Sequence, residues 1–181
     1  RLQRETAFVT QLEHDHIIGV HGLECFEEGW ARVVDFADGE PLQQITHKAQ
    51  EAFRPIEARM AARIVLDVAS GVRYAHEEGQ SRYAGRPIVH GGIRPDTIIM
   101  TFDGRAVLTG YGAAVLSPHG KLTDRRMVYQ APEQIIGGKA TASPATDIYG
   151  LGCVLYELLA GKAPYADAED AERAILTGEP P

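Results

Sequence analysis

The sequence predicts an α+β fold in which helix predominates. Apolar residues recur every three to four positions over residues 57–78, a spacing typical of a helix with one buried face. Residues 147–160 are apolar nearly all round, which predicts a fully buried helix. Two runs rich in β-branched and aromatic residues, 17–23 and 30–36, are separated by the polar turn Glu27-Glu28-Gly29 and predict two strands.

A first helix is predicted before these strands. Leu2, Glu5, Val9 and Leu12 fall on one helical face, so this helix carries a carboxylate within its apolar stripe. After the strands, the Asp-Gly-Glu-Pro stretch at residues 38–41 breaks the chain.

Several further elements are predicted from shorter signals. They are, in chain order, a polar loop at residues 77–87, a hairpin of residues 98–101 and 105–108 closed around Asp103-Gly104, a loop at 112–126 and a weaker helix at 167–177. Gly150 and Gly152 lie within the predicted buried helix, where we expect them to let neighbouring segments approach its backbone closely.

Composition excludes several classes of protein. The chain has 181 residues, of which 44% are hydrophobic and 24% charged, as is ordinary for a globular domain. The formal net charge of −7 argues against nucleic acid or an anionic membrane as the main partner. Cys25 and Cys153 are far apart and lack metal-ligand spacing, which excludes a disulfide framework and indicates a reducing, cytoplasmic compartment.

The apolar runs and the start of the sequence give two further expectations, on membrane spanning and on the extent of the protein. The longest strongly apolar run, residues 148–156, is far too short to span a bilayer. The chain begins with Arg1, without a signal peptide, in what reads as the interior of a helix, so we expect a fragment of a longer protein.

Five short motifs occur in a fixed order. They are His90-Gly-Gly-Ile-Arg-Pro-Asp-Thr97, Gly110-Tyr111-Gly112, Ala131-Pro132-Glu133, Asp147-Ile-Tyr-Gly-Leu-Gly152 and Leu155-Tyr-Glu-Leu-Leu-Ala-Gly161. They resemble the H-R-D-x-K-P-x-N, D-F-G, A-P-E, D-x-Y-S-L-G and L-Y-E-L-L-T-G motifs of eukaryotic-like (Hanks-type) serine/threonine protein kinases, at the family's spacing. The insertion at residues 85–90 is similar to that of bacterial members.

The resemblance covers essentially the whole chain and implies a protein-kinase-like fold. Residues 1–36 correspond to the end of the N-lobe, comprising helix C, which carries Glu5, and two strands. Residues 37–181 correspond to the helical C-lobe, truncated before its last helices.

The resemblance also implies a lost active site. Phosphoryl transfer depends on positioning and on neutralising the charge of the transferred group. The family supplies an Asp as base and an Asn and a second Asp as metal ligands, and this sequence has Gly92, Thr97 and Gly110 in their places. Glycine can neither accept a proton nor hold a cation, and a threonine hydroxyl alone is a poor Mg²⁺ ligand. No catalytic or metal-binding residue is therefore expected.

Neighbouring residues are not expected to restore the site. Arg94 stands where the family has a Lys that contacts the transferred phosphate, and its fork suits bidentate anion binding. Asp96 corresponds to a position without a metal role, and we expect it at the surface. Arg126 replaces the Thr that faces the catalytic Asp.

The scaffold of the family is retained. Asp147 matches a buried Asp whose carboxylate accepts backbone N–H groups from the loop at His90 and Gly91, and Glu5 and Glu133 occupy further motif positions. Two stacked columns of side chains match as well: Val9, Val20, His90 and Tyr111 between the lobes, and Leu42, Ile98, Ile99, Met100, Val154 and Leu158 under the adenine ring.

Nucleotide binding is left open by the residues present. Asp35 and Ala37 align with the hinge residues whose backbone groups pair with adenine, Val34 aligns with the gate of the pocket, and Ile99 lies beneath it. The family's phosphate loop and strand Lys would precede residue 1. ATP is therefore expected to bind at most weakly and without Mg²⁺.

The function predicted is that of a pseudokinase, a regulatory or scaffolding domain in bacterial signalling. We expect a protein partner, whether an active kinase, a sensor domain or a phosphorylation substrate, and neither nucleic acid nor membrane insertion in this segment. The domain is expected in the cytoplasm, alone or as the cytosolic part of a membrane-attached protein. Residues 112–126 are expected to face a partner, with Arg125 and Arg126 able to bind a phosphate on Thr123.

Two alternatives stay open at this point. A weak or atypical ATP-dependent phosphotransferase with displaced catalytic groups predicts turnover with Mg²⁺ or Mn²⁺. A module in which ATP or a metabolite acts as a switch predicts a thermal shift without turnover.

Overall fold

Two small antiparallel sheets are present in the computed structural model, which describes residues 8–27, 29–82, 85–112, 127–138 and 141–181. The first sheet pairs β1 (Val20–Phe26) with β2 (Gly29–Val34). The second has the order β3 (Gly39–Pro41), β4 (Ile98–Thr101), β5 (Ala106–Leu108). The predicted hairpin is confirmed, with Ile99 opposite Val107.

The segment before β1 connects the first sheet to the second sheet. Ile17 forms an isolated parallel bridge with Leu108, and Ile18 N–H donates to the carbonyl of Leu108 at 2.9 Å. The regular strand therefore begins at Val20, three residues later than the predicted run. The predicted first helix lies mostly outside the described residues, but Val9 and Leu12 are described and buried.

Helices make up most of the rest of the fold. They are α1 (Leu42–Glu51), α2 (Ala58–Arg82), α3 (Pro132–Gly137), α4 (Pro144–Ala160) and α5 (Ala171–Thr177), with a 3₁₀ turn at Pro95–Thr97. Helices α2 and α4 pack against each other at the centre of the helical part. None of the helices described is both long and apolar enough to cross a membrane.

Helix α4 is buried along most of its length, and its ends explain its extent. Ile148 and Leu159 are exposed, so the helix is less completely buried than its all-round apolar surface predicts. Ser143 and Pro144 start it three residues before the predicted position, and Gly161 ends it in the left-handed conformation, with φ of 72°.

The two glycines inside α4 play different parts. A Cβ on Gly150 would lie 3.0 Å from the carbonyl oxygen of Ile93, so this glycine does permit close approach. The same expectation is wrong for Gly152, where an added Cβ would meet no other described segment within 4 Å.

Other boundaries also differ from the prediction. Helix α1 was not predicted because only Leu42 and Thr46 are buried in it, too few to give a clear apolar period. The loop predicted from residue 77 begins later, since α2 continues to Arg82. Gly79 is a packing residue there, because a Cβ on it would lie 2.3 Å from the backbone nitrogen of Ile88. Helix α3 was also missed, and α5 starts only at Ala171.

A single apolar core joins α2, α4, the second sheet and the N-terminal segment. Its buried residues are Val9, Leu12, Ile17, Val20, Leu42, Ala61, Ile64, Val68, Val72, Ala75, Ile93, Ile98, Ala106, Leu108, Tyr111, Leu151, Val154 and Leu158. Most members of the two predicted columns belong to this core. The loop at residues 90–97 runs across one side of it, between α2 and β4.

Candidate functional site

The loop at residues 90–97 is held in place by Asp147 in the first turn of α4. The Asp147 side chain is 0% exposed. One carboxylate oxygen accepts the backbone N–H of His90 at 2.9 Å, and the other accepts that of Gly91 at 2.7 Å, as predicted. His76 Nε2 on α2 is a third partner, at 2.8 Å, which sequence reasoning missed. The carboxylate therefore ties the loop to both central helices.

The hydroxyl of Thr97 is used by the loop itself. Thr97 Oγ1 accepts the backbone N–H of Arg94 at 3.0 Å and donates to the carbonyl of Arg94 at 2.8 Å. These two bonds close the 3₁₀ turn and consume the hydroxyl proton. A divalent cation would have to compete with both bonds for this oxygen.

The two glycines at the predicted carboxylate positions differ in their surroundings, and Gly110 has a backbone conformation that favours glycine. Its φ is +108°, a conformation that residues with a side chain rarely adopt, and an added Cβ would lie 3.1 Å from His90 Nε2. An added Cβ on Gly92 would meet only Arg94 Nη1, at 3.5 Å, an ordinary contact.

Arg94 and Asp96 bind each other. The Nε and Nη2 atoms of Arg94 donate to the two carboxylate oxygens of Asp96 at 2.8 and 3.2 Å. The side chains are 19% and 27% exposed, so Asp96 lies at the surface as expected but is only partly exposed. The fork of Arg94 that was expected to suit an anion has a carboxylate of this chain as its partner.

His90 and Tyr111 meet as the predicted column requires. Their ring centroids are 4.9 Å apart in an edge-to-face arrangement. His90 Nε2 lies 3.0 Å from the carbonyl of Thr109, so it carries the proton. Burial lowers the pKa of His90, more than the nearby Asp147 carboxylate raises it. Among the described residues, neither His90 Nδ1 nor the buried Tyr111 hydroxyl has a hydrogen-bond partner.

Arg32 is a site residue that the sequence reasoning missed. Its side chain leaves β2 and its Nη1 donates a short hydrogen bond to the backbone carbonyl of Tyr111. Its Nε is buried and has no partner within the part of the chain that is described. Burial lowers the pKa of the guanidinium, and the charges of Arg94 and Arg32 both lower the pKa of His90. A lone cation inside the apolar run of β2 was the signal that could have identified it.

The residues predicted to contact adenine lie around the link between the two sheets. Val34 ends β2 with 37% of its surface exposed, and Asp35 and Ala37 follow it. Asp35 donates its N–H to the carbonyl of Gly19 at 2.9 Å. Ile99 is partly buried on β4, while Leu42, Val154 and Leu158 lie fully in the core.

Residues 1–178 match the protein kinase domain family. This chain belongs to that family. It is 30% identical over 181 residues to the probable serine/threonine-protein kinase PknB of Lactococcus lactis and, over the same length, to the serine/threonine-protein kinase PrkC of Bacillus subtilis. Each alignment covers 97% of this chain but 26% of the relative, so the chain spans about a quarter of their length.

A solved kinase domain shows the same fold. The crystal structure of a point mutant of the Mycobacterium tuberculosis PknI kinase domain superposes with a TM-score of 0.73 at 25% sequence identity. The match covers 100% of this chain and 60% of that one. The protein-kinase-like fold predicted from the motifs is therefore confirmed.

The remaining predicted positions of this kinase domain either contact a neighbouring helix or lie outside the described residues. Glu133 accepts the Thr146 hydroxyl at 2.6 Å, which joins α3 to the start of α4. Glu5 and the Thr123, Arg125 and Arg126 cluster lie outside the described residues. Within the described ranges, no three His, Cys, Asp or Glu side chains form a group able to hold a metal ion.

Proposed function

We propose that this protein kinase domain is a pseudokinase, a domain that does not transfer phosphate and acts as a regulatory or scaffolding module in bacterial signalling. The observation that carries the proposal is the state of the loop at residues 90–97. Two family carboxylates are replaced by Gly92 and Gly110, and the hydroxyl of Thr97 is bound to the backbone of Arg94 on both its donor and acceptor sides.

Neighbouring groups do not supply what these positions lack. The carboxylate of Asp96 is the closest replacement in sequence, but both of its oxygens accept hydrogen bonds from Arg94. General-base catalysis contributes about 10²–10⁴-fold to a rate, and it needs a carboxylate oxygen within hydrogen-bond reach of the proton it removes, whereas both oxygens of Asp96 face Arg94. The Thr97 hydroxyl and the Asp96 carboxylate, both already hydrogen-bonded, do not fit a magnesium ion, which prefers several oxygen ligands including carboxylates.

We propose that nucleotide binding is weak and independent of divalent metal. Of the two guanidiniums whose charges act on His90, that of Arg94 is already paired with Asp96, which leaves that of Arg32 for a phosphate. Calorimetry with ATP, with Mg²⁺ and with EDTA, tests this. A tenfold gain in affinity with Mg²⁺, equal to about 1.4 kcal/mol, would contradict it.

We propose that the domain acts by binding other proteins through its surface. The buried contacts that hold the kinase scaffold are present, including all three bonds of Asp147, although the groups for chemistry are lost. A fold kept without its reaction is suited to binding an active kinase, a sensor domain or a phosphorylation substrate in the cytoplasm, as an isolated domain or as the cytosolic part of a membrane-attached protein.

Phosphotransfer is the direct test. The full-length protein is incubated with radiolabelled ATP, Mg²⁺ or Mn²⁺ and a generic basic protein substrate, with purified Bacillus subtilis PrkC as the positive control. We expect no incorporation above background, whether into the substrate or into the protein itself. Incorporation that is lost in the Arg94→Ala variant would refute the proposal, because it would arise from this loop.

A nucleotide-dependent switch is the second candidate, and Arg32 favours it. Its buried Nε has no partner among the residues described, so an anionic ligand would gain a desolvated cation. The test is the shift in thermal midpoint with ATP in EDTA, for the wild type and Arg32→Met. A shift present only in the wild type, without turnover, supports the switch.

A further inference from the structure

A groove of about 450 Å³ opens beside the link between the two sheets. It is bounded by the segment at residues 14–18, the link at 35–38 and the turn at 101–105. Its volume lies within the range of about 300–1,000 Å³ that ligand sites occupy. It includes Asp35 and Ala37 but none of Gly92, Thr97 and Gly110, so what it binds does not depend on whether the domain transfers phosphate.

Two phenylalanine rings stand on the edges of this groove. Phe36 is 89% exposed and Phe102 is 74% exposed. The segments that carry them are joined, because the Phe102 N–H donates to the carbonyl of Asp38, two residues after Phe36, at 3.0 Å. Large exposed apolar side chains that share one groove are characteristic of interaction surfaces.

Negative charge surrounds these rings. The lining includes the exposed carboxylates of Asp15, Asp35, Asp38 and Asp103. Among the described lining residues Arg105 is the one Lys or Arg, and it donates to Asp103 at 2.9 Å. Asp35 has His21 as a partner at 2.6 Å, which leaves Asp15 and Asp38 as the carboxylates for which no cationic partner is described. The groove is therefore both aromatic and anionic.

We infer that this groove docks an extended basic segment of a protein partner, in which Arg or Lys alternates with apolar residues. Guanidinium groups stack on the faces of phenylalanine and also pair with carboxylates, so this segment satisfies both features at once. A purely apolar segment would bury the carboxylates without partners. Nucleic acid and anionic lipid would be repelled by them.

The test uses the full-length protein and three fluorescein-labelled octapeptides. The first alternates Arg with Leu, the second replaces each Arg by Glu, and the third replaces each Leu by Ser. Fluorescence anisotropy is measured at 50 and 300 mM NaCl. We expect the Arg-Leu peptide to bind at least tenfold more tightly than either of the others, and to lose at least threefold in affinity at the higher salt.

Variants then locate the site. Phe102→Ala and the double change Asp15→Asn/Asp38→Asn should each weaken binding at least tenfold. The matched controls are Phe53→Ala, which removes a 95% exposed ring elsewhere, and Glu169→Gln/Glu172→Gln, which neutralises a second acidic groove; both should change affinity by less than twofold.

Hydrogen exchange supplies an independent readout. The bound Arg-Leu peptide should slow exchange at residues 35–38 and 101–105. Unchanged affinity in Phe102→Ala, or binding lost only in Glu169→Gln/Glu172→Gln, would overturn the assignment of this groove. Equal binding of the Glu peptide would overturn the assigned charge of the partner.

Discussion

Replacing Asp147 with alanine removes the acceptor for three donors at the centre of the domain. The backbone N–H groups of His90 and Gly91 and the ring of His76 all bind its carboxylate, which is 0% exposed. A buried donor left unpaired costs about 1–3 kcal/mol, so stranding the two backbone donors alone costs about 2–6 kcal/mol. That is a large part of the roughly 5–15 kcal/mol by which a typical domain is stable.

The matched control is Asp96→Ala in the same loop. Asp96 also binds an arginine, but the pair is partly exposed, and such pairs contribute about 0–1 kcal/mol. The Asp147→Asn variant keeps one acceptor oxygen and should fall between the two.

Urea unfolding of the three variants measures the difference. With a slope of about 2 kcal/mol per molar urea, the middle of the usual range, the midpoint of Asp147→Ala should fall by roughly 1–3 M, and that of Asp96→Ala by less than about 0.5 M. Equal midpoints for these two variants would refute the reasoning, because they would mean that Asp147 does not hold the loop to the helices.

Three further predictions concern glycines and one histidine. Gly79→Ala should destabilise the folded domain, because the added Cβ would lie 2.3 Å from a backbone nitrogen. Gly152→Ala has open space around the added Cβ and should stabilise the domain by about 0.5–1 kcal/mol. A reversed order of their urea midpoints would contradict this. Gly110→Asp should cost about 1–3 kcal/mol because of its positive φ, and Gly92→Asp clearly less, again from urea midpoints. Burial lowers the pKa of His90, so the unfolded chain binds a proton that the folded one excludes, and stability should fall as the pH drops below about 6.5. His90→Gln should flatten that decline between pH 7.5 and 5, and an unchanged pH slope would contradict the assignment.

Long, strongly patterned elements could be predicted from the sequence, and elements with few buried positions could not. The buried helix α4 and the β4–β5 hairpin were recognisable because each carries its own signal, an all-round apolar surface in one case and two short runs closed around the turn residues Asp103-Gly104 in the other. Helix α1 buries only Leu42 and Thr46, so its helical period is not visible. Gly79 was interpreted as part of a loop because a glycine required by packing looks the same in sequence as one required by a turn.

The sequence by itself determined the family and the absence of two carboxylates. The order and spacing of the motifs are properties of the chain alone, and glycine at positions 92 and 110 lacks a side chain in any fold. Only the tertiary structure decided how the remaining polar groups are used. Thr97 is bound by its own loop, and Asp96 is held by Arg94. Arg32 reaches the carbonyl of Tyr111, which is 79 positions away in the chain. The contact of Arg32 depends on two segments that are distant in the chain packing together, and no local pattern of residues encodes it. The pairings of Thr97 and Asp96 join residues two or three positions apart, and they depend on the conformation in which Asp147 and the packed helices hold the loop.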